Sequence, residues 1–503
     1  MAKTCPPTCA SSVERQFQPS SSASDAFATI TKEMSGMSIL DNIEKQPVSQ
    51  TASSSTNGSG CPDLEEAATS ASCSNQWQVP EPNPNLYTGP YRGIGTAEDY
   101  GSGQLPPPKF SIAPMMEYTD NHYRYFARLL TRRTWLWTEM VVDSTINHKV
   151  GAEADRWLEF NVCQKPVVLQ LGGSKPETLA AASKVARQYG YTELNLNTGC
   201  PSERVAGAGC FGAQLMQDPH RVAACTSAMA EASGLPVTVK CRIGVDDFDT
   251  YDWLCHFIRV VSENSPVRHF IIHARKAFLK GLSPAQNRTI PPLRREYALA
   301  LARDFPHLRF TVNGVFKGCH DAAATYAEAR ELGFSNIEGI MVGRAAVDKP
   351  WTALADADRA LFGVENPCRS RRHLIEQYLE YAKSAVGRDK PGLPSARQLM
   401  KPLLNLFHGE RNCSLWKKSV DAALREHKTL EAVLAQSLPV LPEEVLDSPP
   451  PVLAPSQSPL LLQAPLPQCE EPQPNLGLGL DVRLGERAHE LASEADKLVA
   501  GAA

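Results

Sequence analysis

The 503-residue chain contains no run of 18 or more apolar residues, and its longest greasy patch, SPLLLQAPL, is too short to span a bilayer. A membrane-spanning protein is therefore not expected. Its 14 cysteines form no CxxC pair and no His/Cys cluster of zinc spacing, so neither a metal site nor a disulfide framework is expected. Cys5 and Cys9 come nearest, in a stretch that reads as unstructured. A secretory apolar segment is also missing, which points to a reducing compartment.

The composition itself is that of a soluble globular protein, 42% hydrophobic and 21% charged. Its net charge of −4 hides an asymmetry. Residues 1–104 carry 5 Lys/Arg against 11 Asp/Glu, residues 439–503 carry 3 against 10, and the body between carries 43 against 34. Acidic ends thus flank a basic body, which permits a polyanionic partner without requiring one.

Residues 1–104 are rich in Ser, Ala, Pro and Gly, lack a sustained apolar period, and are expected to be disordered. A Ser- and Ala-rich start fits an organellar transit peptide, while Glu14 and Asp25 count against one, because such leaders are poor in acids. The expectation is a chloroplast or mitochondrion, with the cytoplasm as the alternative. Residues 439–503 form a proline-rich acidic tail, expected to be extended, in which GERAHELASEADKLVAG has the period of one short helix.

The body is regular. Eight short apolar runs follow one another: FSIAPM, WLWTEMVV, PVVLQLGG, ELNLN, VTVKCRIG, HFIIHAR, RFTVNG and IEGIMVGR. Segments of helical period such as PETLAAASKVARQYG fill most of the gaps. Near-continuous apolar runs imply strands buried on both faces in a parallel sheet. Eight βα units over residues 105–360 give a (β/α)8 TIM barrel. Residues 365–438 change to an i, i+3, i+4 pattern, expected as a small all-helical domain bearing Arg371, Arg372, Arg397, Lys401, Lys417 and Lys418.

Barrels place chemistry at the carboxyl ends of their strands. Those ends carry Pro114, Met115 and Met116; Gln170; Asn197, then Cys200; Lys240 and Arg242; His273 and Arg275; Asn313 and Gly314; Gly343 and Arg344. Glycines after the last two strands, with a guanidinium, are suited to a phosphate, although glycines there also serve tight turns. Lys240 sits in an apolar run, where it can form a Schiff base or stand as a fixed charge beside a cofactor. His273 can equally be a satisfied core histidine. The run GAGCFG (207–212) matches GxGxxG but follows its strand by about ten residues, so a dinucleotide fold is not expected from it.

The stretches APMMEYTDNHYRYFARLL, LNTGCPSERV, VTVKCRIGVDD, IIHARKAFLKGLSPAQNRTIPPLR and MVGRAA resemble the tRNA-dihydrouridine synthases, most nearly the bacterial A-type branch that acts on D-loop uridines 20 and 20a. The similarity spans roughly residues 108–435. It implies an FMN-containing barrel and a helical domain that helps hold tRNA, in a monomer that takes electrons from NADPH in a separate half-reaction. By the same resemblance, Pro114, Met115, Met116 and Gln170 line the isoalloxazine, and Lys240 and His273 flank its polar edge. Asn313, Gly314, Gly343 and Arg344 take the phosphate, and Cys200 is the catalytic acid. Asn197 and Arg288 contact the target uracil, with Arg275 on the substrate side.

The implied reaction needs a hydride at uracil C6, from the flavin, and a proton at C5, so Cys200 has to be a thiol rather than a thiolate. The target base has to leave its stack to reach a buried ring. The chain departs from the family pattern near this cysteine. The segment from Arg204 to Phe211 is one residue longer, Cys210 precedes FGA, and Gln214 replaces a small side chain. The alternatives are another FMN barrel oxidoreductase, of the dihydroorotate dehydrogenase kind, or a non-catalytic tRNA-binding protein.

Overall fold

Each apolar run pairs edge to edge with the next. In the computed structural model, which describes residues 107–148, 152–202, 211–386, 393–452 and 465–469, they form strands β1 (Phe110–Ile112), β2 (Leu136–Val142), β3 (Val167–Gly172) and β4 (Glu193–Thr198). The series continues with β5 (Val237–Arg242), β6 (His269–His273), β7 (Arg309–Asn313) and β8 (Ile337–Val342). All pairings are parallel, in the order β1-β8-β7-β6-β5-β4-β3-β2. The ring closes beside Ser111, where Ile112 N–H donates to the Trp135 carbonyl and Trp135 N–H donates to the Phe110 carbonyl, both at 3.0 Å. The fold is a (β/α)8 barrel followed by helices.

Period-2 alternation decides which residues face the helices. Leu194, Leu196, Val239, Cys241, Phe270, Ile272, Phe310 and Val312 are buried in the main core between strands and helices. Alternate positions turn inward, where Ala113, Trp135, Trp137, Val168, Ile271 and Met341 form a separate cluster. Two apolar faces were expected for every strand; the inner face of β4 and β5 is polar instead, with Glu193, Asn195 and Thr238 buried there. Local signals end the helices. The helix Pro219–Ser233 starts at Asp218, whose carboxylate accepts from Arg221 N–H, and stops at Gly234 with φ 65°.

The helical region docks on the first barrel helix, Asn121–Leu130. Tyr381, from the helix Arg371–Val386, stacks on Tyr125 with centroids 3.8 Å apart, and its hydroxyl hydrogen-bonds His122 Nδ1 at 2.7 Å. This region does not stop at Leu438, the expected boundary. A helix, Glu443–Asp447, packs back on Arg371–Val386, burying Val445 and Leu446. Two arginines expected on the basic helical surface hold it there. Arg371 is only 3% exposed and donates to the Leu406 and Val445 carbonyls and to Ser448, while pairing with Glu410. Arg372 pairs with Glu443 and Asp447.

Further along, Leu466 and Cys469 pack against the barrel core, and Arg303 donates to the Pro467 carbonyl at 2.6 Å. Among the described residues no helix is long and apolar enough to cross a membrane. The expected disordered leader (1–104) and the late helix in GERAHELASEADKLVAG lie outside the described residues, as do Glu203–Cys210 with the extra residue and most of GAGCFG.

Replacing Arg371 by Leu removes a buried cation and strands Glu410 and two carbonyls. The expected loss is about 3 kcal/mol, seen as a lower denaturant midpoint and as new proteolytic cuts near Val445 that are missing from the wild-type digest.

Candidate active site

The strand run ELNLNT places Glu193, Asn195 and Asn197 on one face, pointing into the barrel. Their side chains join those of β3 and β5 in a continuous chain of hydrogen bonds. Asn197 Nδ2 donates to Gln170 Oε1 at 2.9 Å, and Gln170 Nε2 donates to Asn195 Oδ1 at 2.9 Å. Asn195 Nδ2 donates to the Thr238 hydroxyl at 3.0 Å, which donates to Glu193 Oε1 at 2.6 Å. At the upper end, Asn197 Oδ1 accepts from the backbone N–H groups of Gly199 and Cys200, each at 3.0 Å. Asn197 Nδ2 also meets Met140 sulfur at 3.2 Å. Every donor and acceptor direction of the Asn197 amide is thus engaged by the protein.

Polarity is dictated from the upper end. The backbone N–H groups of Gly199 and Cys200 only donate, so Asn197 must turn its oxygen to them, and each amide below takes its orientation from the one above. Burial pushes the Glu193 carboxyl up to about 7 against the lowering effect of the Thr238 hydrogen bond.

The strand then ends in Gly199-Cys200-Pro201. A Cβ on Gly199 would stand 3.3 Å from the Lys240 carbonyl, a contact tight enough that β4 or β5 would have to shift by a few tenths of an ångström to admit it. Arg242 grips the same point: its Nε donates to the Gly199 carbonyl, and its Nη1 donates to the carbonyls of Lys276 and Asn287, all at 2.9 Å. It therefore ties the Cys200 loop to the loop after β6. Asn287 shapes that second loop, accepting from Phe278 N–H at 2.8 Å and donating to the Phe278 and Leu282 carbonyls. The next residue, Arg288, is delivered to the mouth.

Cys200 is half-buried, and its thiol is held above the ordinary range by burial, with Arg242, Arg288 and Lys240 nearby pulling the other way. It is a neutral thiol at neutral pH. Lys240 donates to Asn313 Oδ1 at 3.2 Å, and burial, with Arg242 adding to it, lowers its ammonium to about 8. His273 is kept neutral by burial and by Arg242, Lys240, Arg275 and Arg288 around it. Asn313 is fixed in turn by donating to the Met341 carbonyl at 2.8 Å.

Pro114 and Met115 are half-buried at the end of β1, while Met116 and Arg344 are exposed at the rim. Gly314 has φ 149°, and its carbonyl accepts from Arg295 at 2.8 Å. Arg275, Arg288 and Arg344 form a further cationic group. Arg344 lowers both of the others after burial, and Arg275 Nε is buried without a hydrogen-bond partner. The structure therefore brings Gln170, Asn197, Cys200, Lys240, His273, Arg275, Arg288, Asn313 and Arg344 to one end of one barrel. The sequence reading passed over Glu193, Asn195, Thr238 and Asn287, and placed Arg242 at a strand end without giving it a role. The first three were discoverable, because polar residues at i and i+2 in an apolar strand have to face a polar interior.

A model of the family described as dihydrouridine synthase matches residues 111–439. This chain belongs to the dihydrouridine synthase family. Its curated relatives include the tRNA-dihydrouridine(20/20a) synthase of Vibrio vulnificus, 40% identical over 67% of this chain and 98% of that protein. The enzyme of the same name from Synechocystis is 43% identical over 62% of this chain and 87% of that one. Among solved structures, an old yellow enzyme homologue from Zymomonas mobilis aligns with TM-score 0.32 and 10% identity, over 54% of this chain and 90% of that one, too distant to carry any reading.

The mouth of this dihydrouridine synthase fits a flavin mononucleotide. The partnerless Arg275 Nε and the crowded guanidinium of Arg344 are a donor set in want of an anion such as phosphate. Gln170 retains one amide N–H, and Lys240 with neutral His273 supplies donors for a polar ring edge.

Two outcomes follow from this geometry. Thr238→Val leaves the Glu193 carboxyl and the Asn195 amide without their partner and is expected to cost about 1–3 kcal/mol, whereas Thr238→Ser restores stability in the same denaturation assay. Because the Cys200 thiol is held high, its alkylation by iodoacetamide, followed by peptide mass spectrometry, should still be accelerating at about pH 9; a plateau near neutrality would contradict the neutral thiol.

Proposed function

We propose that this chain reduces the 5,6 double bond of uridines 20 and 20a in the tRNA D-loop, with FMN as its cofactor and NADPH as the electron donor. The observation that carries this reading is a half-buried thiol at the barrel mouth, on a loop pinned by backbone hydrogen bonds, beside Lys240 and Arg242, whose own hydrogen bonds go to carbonyl oxygens. Relatives 40% identical over nearly their whole length bear the name tRNA-dihydrouridine(20/20a) synthase.

Pro114, Met115, Met116 and Gln170 serve the ring of FMN, Lys240 and His273 its polar edge, and Asn313, Gly314, Gly343 and Arg344 its phosphate. Bound and reduced, FMN supplies the hydride to uracil C6. Cys200 Sγ–H gives the proton to C5, so the C=C π bond is replaced by two C–H bonds and a thiolate is left behind. Arg242, Arg288 and Lys240 stabilise that thiolate, which regains its proton from water between turnovers. Arg288 and Arg275 face the base and its phosphates. Asn197, its amide saturated by Gln170, Met140 and the loop, is assigned to orient Cys200 rather than to hold the uracil.

With no fitting dinucleotide motif in the chain, NADPH acts in a separate half-reaction at the open mouth. The basic body and exposed helical cations such as Lys418 supply phosphate contacts, whereas Arg371 and Arg372 are committed to packing.

The test is dihydrouridine mapping of tRNA lacking this modification, after incubation with the purified flavin-loaded protein and NADPH. New dihydrouridine at positions 20 and 20a is expected; its appearance elsewhere, or nowhere, would overturn the assignment. Cys200→Ala should keep its yellow colour and its oxidation of NADPH while reducing tRNA roughly 10²–10⁴-fold more slowly.

A further inference from the structure

The turn after β1 contains a feature that the proton transfer does not use. Tyr118 N–H and Thr119 N–H both donate to the Met115 carbonyl, at 3.1 and 3.0 Å, and Met115 N–H donates to the Thr119 hydroxyl at 3.0 Å. Inside this turn Glu117 adopts φ 66°, the left-handed region that a residue with a side chain rarely occupies. Both of its peptide groups are tied down. Its N–H donates to the Glu139 carboxylate, and its carbonyl accepts from Lys401, which belongs to the helical region. Such a conformation persists only where the surroundings over-determine it, and these two bonds do so.

The outcome of that strain is the placement of Tyr118. Its side chain stays 38% exposed at the catalytic mouth, with Met116 beside it 56% exposed. The Lys401 ammonium lies 5.5 Å from the ring centroid, and Arg288 is close enough to interact electrostatically with Tyr118. An aromatic ring left in water between two cations, at the seam of barrel and helical region, is poor packing. It is well suited to a ligand that is flat and carries negative charge at its edge, which describes an unstacked nucleotide.

We propose that Tyr118 is a stacking platform for an unpaired nucleobase of the RNA, the neighbour of the uridine being reduced, with Lys401 and Arg288 meeting its flanking phosphates. The proposal rests on the tRNA reading above. Stacking holds the strand open beside the flipped target, so that the target is not pulled back into the loop. Lys401 reports on both sides of the seam, because it touches the strained Glu117 carbonyl and the face of the platform.

The experiment uses the flavin-loaded full chain and a tRNA with 2-aminopurine beside the target uridine. Wild-type protein and Tyr118→Phe should quench the probe alike and bind tRNA within about twofold of each other. Tyr118→Ala and Tyr118→Leu should lose the quenching and bind roughly 5- to 100-fold more weakly, with NADPH oxidation unchanged. Undiminished quenching and affinity in Tyr118→Ala would overturn the platform, even if tRNA reduction proceeds. Quenching that depends on the ring, in a protein that leaves uridine unreduced, would keep the platform and overturn the assigned reaction instead.

Discussion

The hydrogen-bonded chain from Glu193 to the backbone of Cys200 is the constraint on which the site depends. A barrel interior filled with aliphatic side chains would give the strand ends no preferred orientation beyond sterics. Here each amide has its direction set by its neighbour, from a carboxyl group at the base to two peptide N–H groups at the top. The arrangement fixes the orientation of Gln170 and the turn that carries the thiol with one set of bonds. Buried polar networks are costly when incomplete, and in this one every side chain from Glu193 to Asn197 is linked to its neighbour, with one Gln170 N–H left over.

Electrostatics at the mouth follow a different logic. Lys240, Arg242, Arg275, Arg288 and Arg344 depress or crowd one another, and the hydrogen bonds of Lys240 and Arg242 go to carbonyl oxygens rather than to carboxylates. Fold stability gains little from such a gathering. Anions bound among these groups would make it favourable, and together with burial it keeps His273 neutral. The thiol is balanced between burial, which favours its protonated form, and the same cations, which favour the thiolate. The proton donation proposed for it would need both, since too much of either would leave it inert or already ionised.

The helical region is joined to this chemistry more closely than a tethered module would be. Tyr381 and His122 fasten it to the first barrel helix, and Lys401 reaches the turn that follows β1. The helical surface and the rim of the site are therefore in direct contact. Arg371 is buried and Arg372 pairs at the surface with Glu443 and Asp447, both holding the helix Glu443–Asp447, so the region's capacity for phosphate is smaller than its composition implies.

Much of this was determined by the sequence alone. Eight apolar runs with helical spacers specify a parallel barrel because alternation and period are local properties, and a strand that breaks at Gly199-Cys200-Pro201 places a thiol at the barrel mouth. The family resemblance lay in the same ordered stretches. What sequence could not assign were the partners. Asn197 meets Gln170 across 27 positions, and Lys401 meets the Glu117 carbonyl across 284. Whether Asn197 offers its amide to a base or spends it on a loop, whether Arg371 faces solvent or a carbonyl, and whether Tyr118 is packed or left at the rim all depend on which distant segments closure brings together. Local pattern sets the direction of a side chain; only the assembled barrel sets what waits there.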